Sequence, residues 1–354
     1  SLKMKKIGLA LEGGGLKGSY QIGAYYAFLK CHIKISGIVG TSIGSFNACL
    51  IAAHQEKELL NLWRTLEPEK LLDINHDYSD YINGASSMLK GFKGLNITLL
   101  NALYHRGLST KKLRNLAEEL INKDKLYKSK IDFGLITVRL KTMKPLCVFK
   151  EAILPEKLVD YLIASCSLPI FKLEPLIDDH IYIDGGFYDN CPVNMLIEKK
   201  YDKIYVIRIN GIGRNCKLKN TSAEVITIHP SRNICSIMEM NHEKIQENIL
   251  LGYYDTLRVL KHYDGYKYTF KKCPEFIIKL LVRGVKTKEL NRIKLFFKTS
   301  TTKETIIKAV EYCLEKEKMS YYQVYNIISV INYLKKYSQS QNHVVKFIKK
   351  LRIF

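Results

Sequence analysis

The chain has 354 residues, a length that fits two domains or one large α/β domain with an appendage. Hydrophobic residues make up 47% and charged residues 25%, a globular composition that excludes a disordered or collagen-like chain. The net charge is +22, and no apolar run approaches the roughly 20 residues that a helix needs to cross a bilayer, which excludes an integral helical membrane protein.

The N-terminus carries lysines in front of a short apolar stretch. Residues 7–11 are too few for the apolar centre of a signal peptide, and the stretch ends at Glu12. We therefore expect no Sec-type export and a cytoplasmic location with peripheral contact to a membrane. We also expect Met4 to be the natural start and residues 1–3 to be a cloning remnant.

The first part of the chain alternates between strand and helix signals. The predicted elements are a strand at 5–11, a glycine-rich turn at 13–18, a helix ending near 30, a strand at 38–41 and a helix at 45–53. Residues 73–107 contain several glycines, are rich in Tyr, Leu and Phe, and show no clear hydrophobic period. This composition favours a flexible cover rather than a part of the core. A helix follows at 110–121.

The same alternation continues in the second part. The predicted elements are strands at 132–141, 146–150, 181–184, 203–209 and 225–228 and helices at 156–165 and 193–199. This order implies an α/β fold with a largely parallel sheet and helices on both faces, in three α/β/α layers. From about residue 234 the pattern becomes helical, and the remainder reads as a C-terminal helical region.

The first motif is the glycine-rich turn, which satisfies GxGxxG through Gly13, Gly15 and Gly18. A dinucleotide site would also need an acidic residue about 20 positions later, and no Asp or Glu lies between Glu12 and Glu56. We therefore expect the amides of Gly13, Gly14 and Gly15 to bind an oxyanion at the start of a helix. Nearby Lys17 either adds positive potential or simply faces solvent.

The second motif is Gly40-Thr41-Ser42-Ile43-Gly44, a GxSxG pattern at a predicted strand-to-helix junction. Glycines two residues before and after the serine permit the sharp turn of a nucleophile elbow. The pattern also fits an ordinary serine that caps the following helix. The preceding oxyanion loop favours the nucleophile, because acyl transfer needs both parts.

The third motif is Asp184-Gly185-Gly186, whose aspartate is predicted to lie at the carboxyl end of the strand at 181–184. Parallel sheets place their sites at the carboxyl ends of strands, so we choose Asp184 as the partner of Ser42, with Gly185 and Gly186 supporting its backbone. The plainer alternative is a turn-forming aspartate.

These three motifs, in this order and spacing, resemble the patatin-like phospholipase family. Two further landmarks of that family match residues 164–171, Ala-Ser-Cys-Ser-Leu-Pro-Ile-Phe, and residues 190–193, Asn-Cys-Pro-Val. The likeness covers about residues 6–210 and continues more weakly through 230–256. We therefore expect a patatin-like acyl hydrolase domain at residues 4–270 and a basic helical region at 271–354.

The resemblance implies a serine lipid acyl hydrolase of the phospholipase A or lysophospholipase type. In it Ser42 and Asp184 form a catalytic dyad without histidine: the carboxylate takes the hydroxyl proton, and the serine attacks an ester carbonyl of a phospholipid or other acyl lipid. The resemblance calls for no cofactor, and the sequence shows no metal-ligand cluster.

Two other functions stay open on the residues alone. An α/β-hydrolase esterase would use a Ser42-Asp184-His229 triad, since His229 follows the acid and is predicted at a strand end. A basic protein that binds membranes or nucleic acid would carry an inactive serine site.

The last quarter of the chain concentrates the positive charge. Residues 271–354 hold 19 Lys and Arg against 6 Asp and Glu, and only 11 of the 56 basic residues of the chain are Arg. Because Arg is the residue that reads phosphates and guanines best, we expect no nucleic-acid partner. A lysine-rich surface fits an anionic membrane better.

Two apolar helical stripes lie within this basic region. They either pack into a core or dock on a lipid surface with the neighbouring lysines, and the docking hypothesis predicts that binding weakens with salt. The stripes contain Val324, Ile327, Ile328, Ile331 and Leu334, and Val344, Val345, Ile348 and Leu351, with Lys335, Lys336, Lys346, Lys349 and Lys350 near or between them.

Overall fold

The computed structural model describes residues 2–67, 110–167, 173–234 and 241–354. The chain divides into two compact units, Ser1–Tyr253 and Tyr254–Phe354. The flexible cover predicted at residues 73–107 lies outside the described residues. Within the described ranges, no helix combines the length and apolar character required to cross a bilayer.

The first unit is an α/β structure whose elements follow the predicted alternation. Its elements in chain order are β1 (Ile7–Leu11), α1 (Ser19–Lys30), β2 (Gly37–Thr41), α2 (Ile43–Ala52), α3 (Glu56–Thr65), α4 (Lys111–Leu120), α5 (Lys123–Lys128), β3 (Asp132–Arg139), β4 (Lys144–Phe149), α6 (Leu158–Ser165), β5 (Pro175–Ile177), β6 (His180–Asp184), α7 (Val193–Glu198), β7 (Lys203–Ile207), β8 (Glu224–Ile228) and α8 (His242–Leu260), which spans the boundary between the units.

The strands form one sheet in the order β5-β6-β3-β2-β1-β7-β8, with β4 paired to β3 off this path. The strands from β3 through β2, β1 and β7 to β8 are parallel, whereas β4 and β6 run antiparallel to β3 and β5 runs antiparallel to β6. The predicted α/β class is confirmed, and the sheet is mixed rather than parallel throughout.

Alternating side chains of β7 show why helices cover both faces of the sheet. Ile204 and Val206 are buried in a cluster with Leu196 of α7. The intervening Tyr205 points to the other face, where its ring meets Phe28 of α1 edge-on with the ring centroids 4.9 Å apart. Because successive residues of a strand face opposite sides, these contacts place α1 and α7 on opposite faces and confirm the three layers.

The second unit consists of short helices and one small strand pair. Its elements are β9 (Thr269–Phe270), α9 (Glu275–Val282), α10 (Thr287–Phe297), α11 (Thr302–Lys316), β10 (Val324–Tyr325), α12 (Ile327–Tyr337) and α13 (His343–Lys350). Strands β9 and β10 pair in parallel. Phe270, Ile331 and Phe347 are fully buried in a single apolar cluster.

The boundary between the units falls earlier than residue 270, where the sequence suggested it. Tyr268 and Phe270 are buried in the apolar cluster of the second unit. The backbone amides of residues 266–268 also donate to the carboxylate of Glu311 on α11. Residues just before 270 therefore belong with the helical unit.

The predicted C-terminal stripes pack into the core of this unit, which confirms the packing interpretation, with Ile328 partly buried against the cluster. Val324 is the exception: it is half-buried in strand β10 and does not belong to the helical stripe. Three of the five lysines associated with the stripes also have partners inside the unit. Lys349 Nζ donates to the Ser338 carbonyl at 2.6 Å, Lys350 Nζ meets Glu289 at 2.8 Å, and Lys335 donates to the Leu351 carbonyl. These contacts link α12, α13 and α10 to one another.

Candidate active site

Ser42 lies at the sharp turn between β2 and α2, and its backbone is strained. It has φ of 58° and ψ of −128°, a region that residues with a side chain rarely adopt. A Cβ on Gly40 would lie 2.3 Å from the backbone of Gly44, and a Cβ on Gly44 would lie 2.5 Å from the carbonyl oxygen of Leu11. Both glycines of the motif are therefore required by close backbone contact.

The backbone of Ser42 is held on both sides. Its amide donates to Ser165 Oγ at 3.0 Å, and that hydroxyl donates in turn to the Ile136 carbonyl at 2.7 Å. Its carbonyl accepts from the Ser45 hydroxyl at 2.6 Å. These contacts fix the strained turn, so that the Ser42 side chain is presented from a rigid base. Sequence reasoning included Ser165 in a family landmark and missed this role.

Asp184 lies at the end of β6, which is an antiparallel strand, whereas the sequence pattern predicts a parallel one. β6 is antiparallel to β3, with Asp184 opposite Thr137, while Ile136 of β3 lies opposite Thr41 of β2. The strand therefore returns toward the carboxyl end of β2 and places its own last residue near Ser42. The choice of Asp184 rested on the rule for parallel strands, and the structure brings it to Ser42 by an antiparallel return.

The carboxylate of Asp184 is buried and only half satisfied. Oδ1 accepts from the Gly186 amide at 2.8 Å, whereas buried Oδ2 has no hydrogen-bond partner among the described residues. Burial raises the pKa of Asp184 from 3.8 to about 6, and the Gly186 amide and the nearby Ser42 hydroxyl offset part of the rise. The site thus holds a carboxylate that is more basic than usual next to a serine.

Cys166 also faces this pair; it lies in the family landmark at residues 164–171, and sequence reasoning assigned it no place beside Ser42. Burial and the neighbouring Asp184 raise the pKa of its thiol to about 12, while the hydroxyls of Ser42 and Ser45 lower it in part. The thiol is therefore neutral at physiological pH. It is a weakly polar group beside the serine, and as a neutral thiol it is not a second nucleophile.

The glycine-rich loop lies beside Ser42, and the structure corrects one of its three predicted amides. The Gly13 amide already donates to the Asn190 carbonyl at 3.0 Å, and Asn190 Nδ2 donates back to the Gly13 carbonyl at 2.9 Å. Within the described part of the chain, no hydrogen bond is formed by the amides of Gly14 and Gly15. Gly15 has a φ of 60°, which glycine adopts without strain. Two amides, not three, are open to an anion.

Two further side chains fix the surroundings of the loop. Glu12 is buried, its Oε1 accepts from the amides of Ile209 and Gly211 at 2.9 Å each, and its Oε2 pairs with Arg208 at 2.6 Å. An acidic residue directly between a strand and a glycine loop was the signal that could have indicated this role. Lys17 Nζ donates to the Asn210 carbonyl at 3.1 Å near the surface.

The structure does not bring His229 to Ser42. The residue follows β8, is exposed and lies at the edge of the sheet. Strands β1 and β7 separate β8 from β2, a distance of roughly 14 Å at the usual strand spacing. Ser42 and Asp184 are brought together without it.

The first unit is thus a mixed α/β sheet with helices on both faces. It carries a serine in a strained turn beside a glycine-rich loop. A family model described as patatin-like phospholipase matches residues 9–197, more than half of the chain, and the chain belongs to that family.

Several named proteins are similar to parts of this chain. Patatin-like phospholipase domain-containing protein 7 of Rattus norvegicus is 27% identical over 192 residues, which are 53% of this chain and 12% of that protein. Lysophospholipase NTE1 of Chaetomium globosum is 24% identical over 224 residues, 60% of this chain and 12% of that protein. The chain thus spans only a small part of these relatives. The crystal structure of VipD from Legionella pneumophila is 13% identical and covers 94% of this chain and 79% of its own, with a TM-score of 0.43.

Proposed function

We propose that the protein is a serine lipid acyl hydrolase that cleaves fatty-acyl esters through a Ser42-Asp184 dyad. The observation that carries this proposal is the buried, unpartnered Oδ2 of Asp184 beside a serine held at positive φ. Both features cost stability and serve no packing purpose. Backbone strain and unpaired buried polar atoms are concentrated at functional sites in proteins.

The proposed reaction begins with proton transfer from the Ser42 hydroxyl to Asp184. The serine oxygen attacks the ester carbonyl carbon, and the amides of Gly14 and Gly15 bind the resulting oxyanion. When the C–O bond breaks, the protonated Asp184 returns its proton to the leaving alcohol. Water then attacks the acyl-serine while Asp184 takes its proton, the acyl C–O bond to Ser42 breaks, Asp184 returns the proton to Ser42 Oγ, and the fatty acid leaves.

The raised pKa of Asp184 supports the role of general base. A carboxylate with a pKa near 6 accepts a proton more readily than one near 3.8. The proposed steps use side chains, backbone amides and water, and no cofactor enters them. We expect a chelator to leave turnover unchanged.

The substrate class is proposed from the family and from the names of the relatives. These names refer to phospholipases and lysophospholipases. They support an acyl lipid as substrate and a phospholipase A or lysophospholipase type of cleavage.

A fluorophosphonate probe tests the proposal, because it labels only an activated serine. We expect mass spectrometry of the labelled protein to place the adduct on Ser42, and Asp184→Asn to abolish labelling. Asp189→Asn is the matched control: burial raises the pKa of Asp189 to about 6 as well, but its Oδ1 accepts from the amides of Cys191 and Cys216. Absent labelling with intact folding would favour the inactive binding protein.

We also propose peripheral contact with an anionic membrane, on the cytoplasmic side, through the exposed face of α9. Phe276 is 63% exposed and Leu280 is exposed on the same face one turn later, with Lys279 and Arg283 beside them. Apolar anchors between basic residues are typical of helices that lie in a lipid interface. Glu275 lies on the flank of this face.

Vesicle co-sedimentation tests this contact. Phe276→Ser with Leu280→Ser, or Lys279→Glu with Arg283→Glu, should reduce binding to vesicles of phosphatidylcholine and phosphatidylglycerol about tenfold at low salt. Lys318→Glu with Lys346→Glu changes the charge equally at exposed positions elsewhere in the unit. If this control lowers binding as much as the α9 variants, the contact is a diffuse charge effect and the α9 face is not the docking site.

A further inference from the structure

The glycine loop is held at both ends by two buried amide side chains. Gln21 Nε2 donates to the Glu12 carbonyl at 2.7 Å, just before the loop. Asn47 Nδ2 donates to the Gly18 carbonyl at 3.0 Å, at its end. Asn47 Nδ2 also donates to Gln21 Oε1 at 2.8 Å, which joins the two anchors. The segment that carries the amides of Gly14 and Gly15 is thus bracketed by one connected network.

The network ends at Trp63, the only tryptophan of the chain. Its Nε1 donates to Asn47 Oδ1 at 3.0 Å. Gln21 and Asn47 are fully buried and Trp63 is 2% exposed, so water does not compete for these groups. Each polar atom of the three side chains is used within the network or on the loop.

The indole fixes the direction of every hydrogen bond in this network. An indole N–H can only donate, so Asn47 must turn its oxygen toward Trp63 and its nitrogen toward Gly18 and Gln21. Gln21 must then present its oxygen to Asn47, and its nitrogen to the Glu12 carbonyl. A single donor at one end therefore sets both amide groups that grip the loop.

We infer that Gln21, Asn47 and Trp63 are positioning residues that pre-organise the oxyanion loop. The inference rests on the proposed function, because it assigns the Gly14 and Gly15 amides to the transition state. Glycines carry no side chains to hold a loop in place, and an oxyanion site works only when its donors are fixed before charge develops. None of the three residues touches the reacting atoms.

Gln21→Met is the central variant, because it keeps the length of the side chain and removes its hydrogen bonds. We expect kcat on a soluble short-chain ester to fall about 10- to 100-fold with KM changed less than about threefold, since the oxyanion forms only in the transition state. Trp63→Phe keeps the ring and removes the donor, and we expect a smaller loss of about three- to tenfold.

Gln55→Met is the matched control. Gln55 is also buried, with Nε2 donating to the Leu120 carbonyl at 2.8 Å and Oε1 accepting from the Asn122 amide at 2.8 Å, but it bonds the connection between α4 and α5 and not the loop. We expect it to lower the melting temperature like Gln21→Met and to leave kcat unchanged. Equal kcat values in Gln21→Met and Gln55→Met would overturn the positioning role.

The tryptophan supplies a second readout that a merely structural role would not move. A fluorophosphonate adduct on Ser42 places a phosphonyl oxygen at the loop amides, and we expect the emission of Trp63 to change on labelling in the parent. The change should be absent in Gln21→Met labelled to the same extent. Labelling of the parent without an emission change, together with an unchanged kcat in Gln21→Met, rejects the network alone. Absence of labelling in the parent rejects the proposed function and the network with it.

Discussion

Each unit contains buried carboxylates, and Glu311 of the helical unit and Asp184 of the α/β unit differ in their surroundings. Glu311 of the helical unit accepts at Oε2 from the amides of Tyr266, Lys267 and Tyr268 at 2.9, 2.7 and 2.7 Å. Asp184 of the α/β unit accepts from one amide and leaves Oδ2 without a partner among the described residues. Burial raises the pKa of both groups.

The difference separates a structural carboxylate from the one that we propose to be reactive. The three amides stabilise the charge of Glu311 and use it to hold the turn before β9 in place. Asp184 keeps an unused acceptor beside Ser42, at a cost to the folded state. The pKa direction alone does not distinguish the two groups; the number of donors does.

The largest expected effect follows from removing either member of the dyad. Ser42→Ala and Asp184→Asn should each lower turnover of a soluble ester on the order of 10³-fold or more, and the double variant should add little, because the pair acts as a unit. Steady-state kinetics with circular dichroism to confirm folding checks this. Near-parental turnover in Asp184→Asn would show that another group is the base.

Removing the two carboxylates should change the free energy of unfolding in opposite directions. Glu311→Ala leaves three amides without their acceptor and should cost about 3 kcal/mol in the free energy of unfolding. Its effect should be local, so hydrogen exchange at residues 266–268 should accelerate. Unchanged exchange there would mean that the turn does not depend on Glu311.

Asp184→Asn should instead stabilise the protein above pH 6. A folded pKa near 6 against an ordinary 3.8 means that ionisation costs the folded state up to about 3 kcal/mol. This cost is absent below about pH 4, grows between pH 4 and 6, and is complete above pH 6. Denaturant titrations of the parent and the variant at pH 4 and 8 measure it, and equal differences at both pH values would contradict the burial argument.

The pH profile of catalysis should report the ionisation of Asp184. Because only the ionised carboxylate can accept the Ser42 proton, kcat/KM should rise about tenfold per pH unit below pH 6 and level off above it. Asp189, whose pKa is also about 6, could titrate in the same range. If Asp189→Asn moves the midpoint, then Asp189 and not Asp184 controls the profile.

Local patterns in the sequence predicted many of the strands, helices and turns of the α/β unit. Buried apolar runs marked β1 and β7, and the glycine spacing around Ser42 marked a turn whose close contacts the structure shows at Gly40 and Gly44. Such features depend on neighbouring residues, so a single sequence contains them. The alternation of strands and helices likewise predicted the layers.

Contacts between distant residues were not predictable in the same way. The Gly13 amide bonds to Asn190, 177 positions away, and this pairing decides which loop amides remain open. The antiparallel course of β6 and the carbonyl partners of Lys335 and Lys349 also depend on how the chain returns on itself. No periodicity or motif carries that information.

The smallest expected effect is at His229, and it tests whether the carboxylate acts without a histidine. His229 is exposed after the edge strand β8, three strand positions from β2. His229→Ala should therefore keep ester turnover within about twofold of the parent, because a general base must reach the serine proton directly or through one water. The same kinetic assay used for Asp184→Asn measures it, with His262→Ala, an exposed histidine of the helical unit, as a control. A loss of several orders of magnitude in folded His229→Ala would replace the dyad by a triad and would require the end of β8 to approach Ser42 during catalysis.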